Sequence, residues 1–216
     1  MRSKSIFLTL ALTATLFSPA FAGGPAKGVV ELFTSQGCSD CPPADRTLAE
    51  YTDRGGLITL AWHVDYWDRL GWKDTFSSPS ATNRQESYNS TIGAGVFTPQ
   101  FVVNGKRSGL GGEGGGLPVA VNVTNNGGSL DVKVGSGSGS ASLYLVTFSN
   151  SATVAIKRGE NAGRNVTYRH VVSGLRNVGS WNGSATQISV PHGGGGCAIL
   201  LQRGTNGPIL GAASCS

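Results

Sequence analysis

The chain has 216 residues, a net charge of +5 and 33 glycines, and 39% of its residues are hydrophobic. This length suits one large domain or two small ones. The basic residues are scattered rather than clustered, which argues against a nucleic-acid-binding surface and against a basic patch for membranes.

Residues 1–22 have the features of a secretory signal peptide. Arg2 and Lys4 precede an apolar run at 6–17, and a small-x-small cleavage pattern ends at Ala22. The run is too short for a membrane span, and no other apolar run approaches the roughly 18 residues that a spanning helix needs. We therefore predict cleavage near Ala22, a periplasmic or secreted protein, and no membrane span.

The segment 23–112 alternates between predicted strands and helices. Its first strand, "GVVELFT", is almost continuously apolar, as expected for a strand that is buried on both faces. A Cys-x-x-Cys motif follows it directly, which in a β-α-β-α-β-β order is the thioredoxin pattern. The predicted elements are a strand at 28–34, a helix to about Arg54, a strand at 57–64, a helix within 77–92 and a hairpin about Asn104-Gly105. Arg84 and Gln85 of the second helix are expected on a solvated face.

The segment 113–216 is predicted to be rich in β-strands. A glycine-rich stretch, "GLGGEGGGLP", separates it from the first segment. Seven short β-branched runs follow at a spacing typical of an antiparallel sandwich: 119–123, 130–134, 142–148, 153–157, 166–172, 186–190 and 197–202. "GSGSGSAS" is expected to be a long hairpin loop. The predicted fold is therefore an α/β thioredoxin-like domain (23–112) followed by a β-rich, sandwich-like part (113–216).

Four cysteines remain after the signal peptide, and an oxidising compartment favours two disulfides. Their spacing favours Cys38–Cys41 and Cys197–Cys215. A helix N-terminus stabilises a thiolate, so Cys38 is predicted to be the exposed nucleophile and Cys41 the buried resolving thiol. The Cys197–Cys215 bridge is predicted to be structural, and a bulge between the last two strands, or a loop of different length, would bring the two cysteines into register.

Further site residues are predicted around the cysteine pair. Thr98-Pro99 is expected to be a cis bond packed against the two sulfurs. The segment "HVDYWD" follows the second strand, and ligands gather at the carboxyl ends of strands in open α/β sheets. We therefore expect His63, Asp65 and Trp67 to join Thr98 in binding substrate. The alternatives are a hydrogen-bonded histidine at a strand end and a core tryptophan.

Several motifs together resemble a known family, namely "VVELFTSQGCSDCPPAD", "LAWHVDYWDRLGWKDTF", "TNRQESY", "VFTPQFVVNG", "NVTYRHVV" and "GPILGAA". The family consists of secreted, thioredoxin-like bacterial proteins catalogued as domain of unknown function twelve twenty-three. The resemblance runs from about Val29 to Ala213. It implies a thioredoxin-like N-terminal domain and a β-rich C-terminal part, and it supplies no reaction. The final helix of a thioredoxin-like domain is not expected here, because each glycine costs a helix about 1 kcal/mol.

Three functions remain open from the sequence. The first is a thiol–disulfide oxidoreductase that needs no cofactor, acts on protein or small-molecule thiols and disulfides through Cys38 and Cys41, and is recharged by a redox partner. The second is a copper-handling protein whose ligands are Cys38, Cys41 and His63. The third is a non-catalytic binding module with a structural disulfide. The first requires an exposed Cys38, whereas the third predicts two buried sulfurs.

Overall fold

The computed structural model describes residues 21–109 and 116–215, which form two helices and twelve strands. The helices are α1 (Cys41–Arg54) and α2 (Pro79–Ile92). The strands are β1 (Phe21–Gly23), β2 (Gly28–Thr34), β3 (Leu57–His63), β4 (Gln100–Val103), β5 (Arg107–Gly109), β6 (Val121–Asn125), β7 (Ser129–Val134), β8 (Ala141–Ala155), β9 (Asn165–Trp181), β10 (Thr186–Pro191), β11 (Gly196–Gln202) and β12 (Ile209–Ser214).

Residues 1–20, which hold most of the predicted signal peptide, lie outside the described part of the chain. In the part that is described, neither helix has the length and apolar character needed to cross a membrane.

The strands form two sheets. The larger sheet has eight strands in the order β12-β11-β8-β9-β3-β2-β4-β5, and the smaller has the order β1-β6-β7-β10. Strand β3 is parallel to both of its neighbours, β2 and β9, whereas the other pairs of both sheets are antiparallel. The larger sheet is therefore mixed.

The predicted fold class is wrong. Strands from both predicted parts of the chain lie in one sheet, so the molecule is not an α/β thioredoxin-like domain followed by a sandwich. The crossover occurs at β3, whose residue Ala61 pairs with Val171 of β9. Strand β3 is apolar except for Thr59 and His63 and is buried on both faces, and a strand of that kind gains from having neighbours on both edges. Its amino-acid pattern indicates burial, but it does not indicate which strand lies beside it.

The larger sheet is covered on both faces. Helix α2 packs on one face, where Tyr88 joins Phe33 and Trp62 of the sheet core. On the other face, α1 covers the end that contains β2, β3 and β4, where Leu48 of the helix and Leu32 of the sheet belong to one apolar cluster. The smaller sheet covers the opposite end of that same face, over β8, β11 and β12. The turn that leads from β2 into α1 therefore lies at the carboxyl ends of the parallel strands.

Local signals predicted several elements correctly. Helix α1 ends at Arg54, and α2 begins after Ser78, whose hydroxyl accepts the N–H of Ala81. The hairpin of β4 and β5 turns at Asn104 and Gly105, with φ values of 52° and 62°. Both values lie in the left-handed region that an Asn-Gly turn supplies at low cost.

Three local predictions need correction. The runs 142–148 and 153–157 form one strand, β8, because the polar residues between them extend a long hairpin with β9. The glycine-serine segment after β7 connects the two sheets and is not a hairpin loop, since β7 and β8 lie in different sheets. Arg84 and Gln85 are buried rather than solvated, because Glu31 and Gln100 offer them partners inside the protein.

Candidate functional site

The cysteine motif forms the turn between β2 and α1. Cys38 and Cys41 are joined by a disulfide, with their Cα atoms 5.4 Å apart, and Cys41 is the first residue of α1. The Cys41 N–H donates to the Cys38 carbonyl at 3.2 Å, which closes the turn. The predicted pairing is confirmed. The motif lies where unpaired helix N–H groups favour a negative charge.

Both cysteines are buried, so the prediction that Cys38 is exposed is wrong for the disulfide form. Only 1% of Cys38 is accessible to solvent. The β8–β9 connection covers the motif: the Asn161 amide donates to the carbonyl oxygens of Gln36 (3.0 Å) and Cys38 (2.7 Å). Beside it, the Glu160 carboxylate accepts the Ser39 N–H at 3.1 Å. A segment about 120 positions further along the chain thus shields the disulfide.

Asp45 lies one helical turn after Cys41. Its Oδ1 accepts the Thr34 hydroxyl at 2.9 Å, whereas its buried Oδ2 has no hydrogen-bond partner within the described part of the chain. Burial raises the pKa of the Asp45 carboxyl from its ordinary 3.8 to about 7, and the nearby His63 and the Thr34 hydroxyl offset only part of that effect. Residues four apart on a helix are neighbours, so this carboxyl lies on the same face of α1 as Cys41, one turn further along the helix.

His63 lies beside Thr34, because the two are register partners at the ends of β3 and β2. Its Nδ1 lies 2.7 Å from Asp74 Oδ2, which also accepts the Gln36 N–H at 2.8 Å. Its Nε2 is buried and has no partner among the described residues. The Tyr168 ring packs edge-on against His63, with the centroids 4.8 Å apart. His63 is therefore a hydrogen-bonded histidine at a strand end, linked through Asp74 to the cysteine turn.

Trp67 and Thr98 meet next to the cysteine turn. The Trp67 indole N–H donates to the Thr98 hydroxyl at 2.8 Å. A Cβ placed on Gly37 would lie 3.2 Å from Trp67 Cβ, so the tryptophan packs directly on the turn. The predicted cis bond at Thr98-Pro99 is confirmed. These residues form a partly buried wall beside the motif.

Asp65 does not join this group. Its Oδ1 accepts the Thr82 hydroxyl at 2.6 Å, and its backbone N–H donates to Thr82 Oγ1 at 3.1 Å. Thr82 belongs to α2, so Asp65 anchors that helix to the loop after β3. Its role as a substrate-binding residue stays a prediction that these contacts do not favour.

No group of three or more His, Cys, Asp and Glu side chains in residues 21–109 and 116–215 is placed to hold a metal ion. Of the alternative copper ligands, Cys38 and Cys41 are bonded to each other, and His63 uses Nδ1 for Asp74. The geometry thus gives the copper alternative less support than the redox alternative.

The second predicted disulfide, Cys197–Cys215, is confirmed. A bulge between Leu201 and Gln202 sets the register of β11 and β12, and the Cys215 N–H donates to the Cys197 carbonyl at 3.0 Å. Of the two adjustments expected for this pairing, a bulge or a loop of different length, the bulge is therefore present. His192 Nε2 lies 3.4 Å from Cys197 Sγ. This bridge ties the last strand to the sheet, away from the cysteine turn.

Sequence reasoning missed Asp45, Asp74 and Asn161. The spacing of Asp45 from Cys41, four residues on a helix that starts at the motif, was a usable signal. Asp74 lies in "GWKDTF", but the loop that brings it back to His63 has no periodicity to interpret. Asn161 approaches the motif because β9 pairs with β3, and no local sequence pattern predicts that pairing.

The family model described as "Protein of unknown function (DUF1223)" matches residues 29–199. The chain belongs to this family. No curated protein matches it. An X-ray crystal structure of a protein from Agrobacterium tumefaciens is 34% identical and has a TM-score of 0.75, over 88% of this chain and 93% of that one. HBP35 of Porphyromonas gingivalis is 14% identical, with a TM-score of 0.59 over 88% of this chain and 74% of that one, which is a likeness of fold alone.

Proposed function

We propose that this protein is a periplasmic or secreted thiol–disulfide oxidoreductase in which Cys38 and Cys41 cycle between dithiol and disulfide. The observation that carries the proposal is the Asp45 carboxyl. A disulfide between cysteines three positions apart at a helix start lies one turn from a buried acid whose pKa is raised to about 7 and whose Oδ2 has no partner among the described residues. Buried acids that titrate near neutral pH are costly, and they cluster at functional sites.

The chemistry needs one proton acceptor inside the protein. In the reduced form, the Cys38 thiolate attacks a substrate disulfide, and one substrate thiolate leaves. The Cys41 thiol then loses its proton to Asp45, attacks the mixed disulfide at Cys38 and releases the second substrate thiolate. The protein ends as the disulfide, the substrate ends as two thiols, and a redox partner returns the two electrons. A base with a pKa near the working pH suits this transfer.

The Asn161 segment controls access in this proposal. Cys38 is buried in the disulfide form, so a substrate or partner reaches it only when residues 157–164 move away. The segment is held on the motif by three hydrogen bonds, two from Asn161 and one to Glu160. The two bonds from Asn161 contribute about 1 kcal/mol each and the bond to the Glu160 carboxylate about 1.5–3 kcal/mol, so the opening is accessible at ordinary temperature.

Burial of both cysteines favours one competing function, a binding module with an inert disulfide. The two functions differ in the reduction potential of Cys38–Cys41. Structural bridges of secreted proteins have potentials below about −300 mV, whereas redox-active pairs lie above that value. We expect Cys38–Cys41 to lie above it and Cys197–Cys215 below it.

The test is equilibration of the protein lacking residues 1–22 in graded dithiothreitol buffers, with each cysteine pair quantified by alkylation and peptide mapping. The reduced protein is then alkylated at neutral pH, where Cys38 should label at least tenfold faster than Cys41. Cys38→Ser should abolish disulfide exchange, while Cys197→Ser combined with Cys215→Ser should retain it. Equal, slow labelling of both motif cysteines, with a potential below about −300 mV, would favour the binding module.

A further inference from the structure

A cleft runs along α1 from the cysteine motif. It has a volume of about 630 Å³ and lies between one face of α1 and the first residues of β9. The α1 wall extends from Pro42, next to Cys41, to Asp53. The eleven helical steps from Pro42 to Asp53 span about 16 Å, which is the length of a small extended molecule. The volume lies in the range of small-molecule sites rather than of surface dimples.

The cleft is lined by three arginines, Arg46, Arg164 and Arg169. Arg169 pairs with Asp53 at 2.7 Å, but its Nε is buried and makes no hydrogen bond to any described residue. Arg46 and Arg164 are exposed, and neither forms an ion pair with the residues that the structure describes. Two guanidinium groups and one buried N–H are therefore available to a ligand.

The end of the cleft near the motif holds Asp45, which is 96% buried by its accessible surface and whose Oδ2 has no partner in the described part of the chain. This unpartnered atom is independent of the arginines, and it marks the inner end of the cleft as a place where a bound molecule would supply the missing contact. Guanidinium groups prefer carboxylates, which they bind with two parallel hydrogen bonds.

We infer that the cleft binds the substrate of the proposed redox reaction, and that this substrate is a small disulfide or thiol bearing carboxylates. The inference rests on the proposed function. The carboxylates lie against Arg46 and Arg164, with the sulfur end directed to the motif side at Pro42. Arg164 belongs to the segment that covers Cys38, since its N–H donates to the Asn161 carbonyl at 3.1 Å. Binding and access to the disulfide thus involve the same turn of chain.

The test compares three symmetrical disulfides that differ in charge: dithiodipropionate (two carboxylates), 2-hydroxyethyl disulfide (neutral) and cystamine (two ammonium groups). The protein lacking residues 1–22 is reduced, and its oxidation by each probe is followed at low salt. Each rate is divided by the rate of the same probe with 2-mercaptoethanol, which corrects for leaving-group reactivity. We expect dithiodipropionate to react at least tenfold faster than the neutral probe, and cystamine to react more slowly than either.

Charge-neutralising variants assign the preference to the cleft. Arg46→Gln with Arg164→Gln should lower the ratio of the dithiodipropionate rate to the neutral-probe rate about tenfold, and any effect of Arg164→Gln on access to Cys38 cancels in that ratio. Arg176→Gln removes the same charge from an exposed position in the distal part of β9, and it should change neither rate. Equal corrected rates for the anionic and neutral probes, unaffected by the double variant, overturn the inference and leave the redox function standing.

A binding measurement separates failure of the cleft from failure of the redox reaction. Suberate has the length and charges of dithiodipropionate but no disulfide, so its binding to the oxidised protein is independent of exchange. We expect calorimetry to detect suberate binding that Arg46→Gln with Arg164→Gln weakens at least tenfold. If suberate binds but none of the three disulfides oxidises the reduced protein, the cleft is a carboxylate site and the redox function is overturned. Absence of suberate binding at 10 mM, a concentration on the order of ten times a 1 mM Kd, would overturn the inference that the cleft binds carboxylates.

Discussion

Burial of the Asp45 carboxyl lowers the stability of the folded protein above pH 4, although the proposed disulfide exchange uses the same carboxyl as a proton acceptor. Its pKa is raised from 3.8 to about 7 in the folded protein. Below pH 4 the carboxyl is protonated in both the folded and unfolded states and costs nothing. Between pH 4 and 7 the unfolded state releases the proton while the folded state keeps it, so the free energy of unfolding falls as the pH rises. Above pH 7 the full penalty applies, about 4 kcal/mol for a shift of this size.

Asp45→Asn should therefore stabilise the protein in a pH-dependent way. The amide keeps the shape of the side chain and removes the charge, so we expect the free energy of unfolding at pH 8 to rise by about 1–4 kcal/mol, with little change at pH 4. The same variant should slow disulfide exchange, because Cys41 loses its proton acceptor. Urea titrations across this pH range measure the first effect. Asp53→Asn, an exposed position on the same helix, is the control, and an equal gain from it would contradict this account.

Asn161 offers a second prediction at the scale of one residue. Its amide makes two hydrogen bonds to the cysteine turn, so Asn161→Ala should favour the open position of residues 157–164. The loss of two bonds, at about 1 kcal/mol each, should accelerate reduction of Cys38–Cys41 by dithiothreitol about tenfold or more. Asn206→Ala also removes side-chain hydrogen bonds, but these go to Ser87 and Ser90 of α2, so it should leave the reduction rate unchanged. Unchanged reduction in Asn161→Ala would mean that the segment does not limit access.

At the scale of elements, a buried ion pair fixes α2 on the sheet. Glu31 of β2 accepts hydrogen bonds from Arg84 (2.7 Å), Trp62 (2.9 Å) and Tyr88 (2.5 Å). The Arg84 guanidinium also donates to Gln202 Oε1 of β11 at 3.2 Å. The partners of Glu31 and Arg84 in this network all lie inside the protein. The network therefore fixes α2 on the sheet and is not a binding site.

Arg84→Met should destabilise the protein by about 3–5 kcal/mol, because it leaves the Glu31 carboxylate buried without its cation. Adding Glu31→Gln removes that charge and should recover part of the loss. Thermal and urea unfolding at pH 7 measure both variants. Asp53→Asn breaks the exposed pair with Arg169 and should cost less than about 1 kcal/mol. A similar small cost for Arg84→Met would show that the buried pair does not anchor α2.

Elements whose signals are local could be predicted from the sequence. Strand β2, both helices and the Asn104-Gly105 hairpin follow from apolar runs, a proline after Ser78 and turn chemistry. The polar middle of β8 misled the same reasoning. Serine and asparagine at 149–151 are exposed where the hairpin runs past the sheet, and they interrupt the apolar pattern without ending the strand.

At the scale of the molecule, pairing between distant segments could not be predicted. The joining of β3 with β9 connects residues 110 positions apart, and it overturned the predicted fold class. The same pairing carries Asn161 onto the cysteine turn and Tyr168 onto His63. The cysteine pairing, by contrast, followed from spacing and compartment, because only three arrangements of four cysteines exist.

The Cys197–Cys215 bridge should stabilise the molecule without affecting exchange. It closes a loop of about 18 residues, for which the chain-entropy model gives about 3 kcal/mol. Replacing both cysteines with alanine should lower the free energy of unfolding by roughly that amount, while Cys38–Cys41 keeps its reduction potential. A changed potential at Cys38–Cys41 in this variant would show that the two bridges exchange.

The shared sheet predicts that residues 23–112 do not fold alone. Without β9, strand β3 would become an open edge in which every residue except Leu57 is buried in the whole protein. The core beside Phe33 and Trp62 would lose Leu200 and Ile209, which reach it from β11 and β12. Each large aliphatic side chain removed from such a core costs about 2–5 kcal/mol, and the whole domain is stable by only about 5–15 kcal/mol.

Residues 23–112 expressed alone should therefore lack a cooperative unfolding transition, whereas residues 23–216 should unfold in one step. Circular dichroism during thermal unfolding measures both chains at equal concentration. A point variant of residues 23–216 weakened by 3–5 kcal/mol, Arg84→Met, serves as the comparison, because it should still show a single transition at lower temperature. A cooperative transition in the fragment would mean that β3 tolerates an open edge, and the two predicted parts would then be separate folding units despite their common sheet.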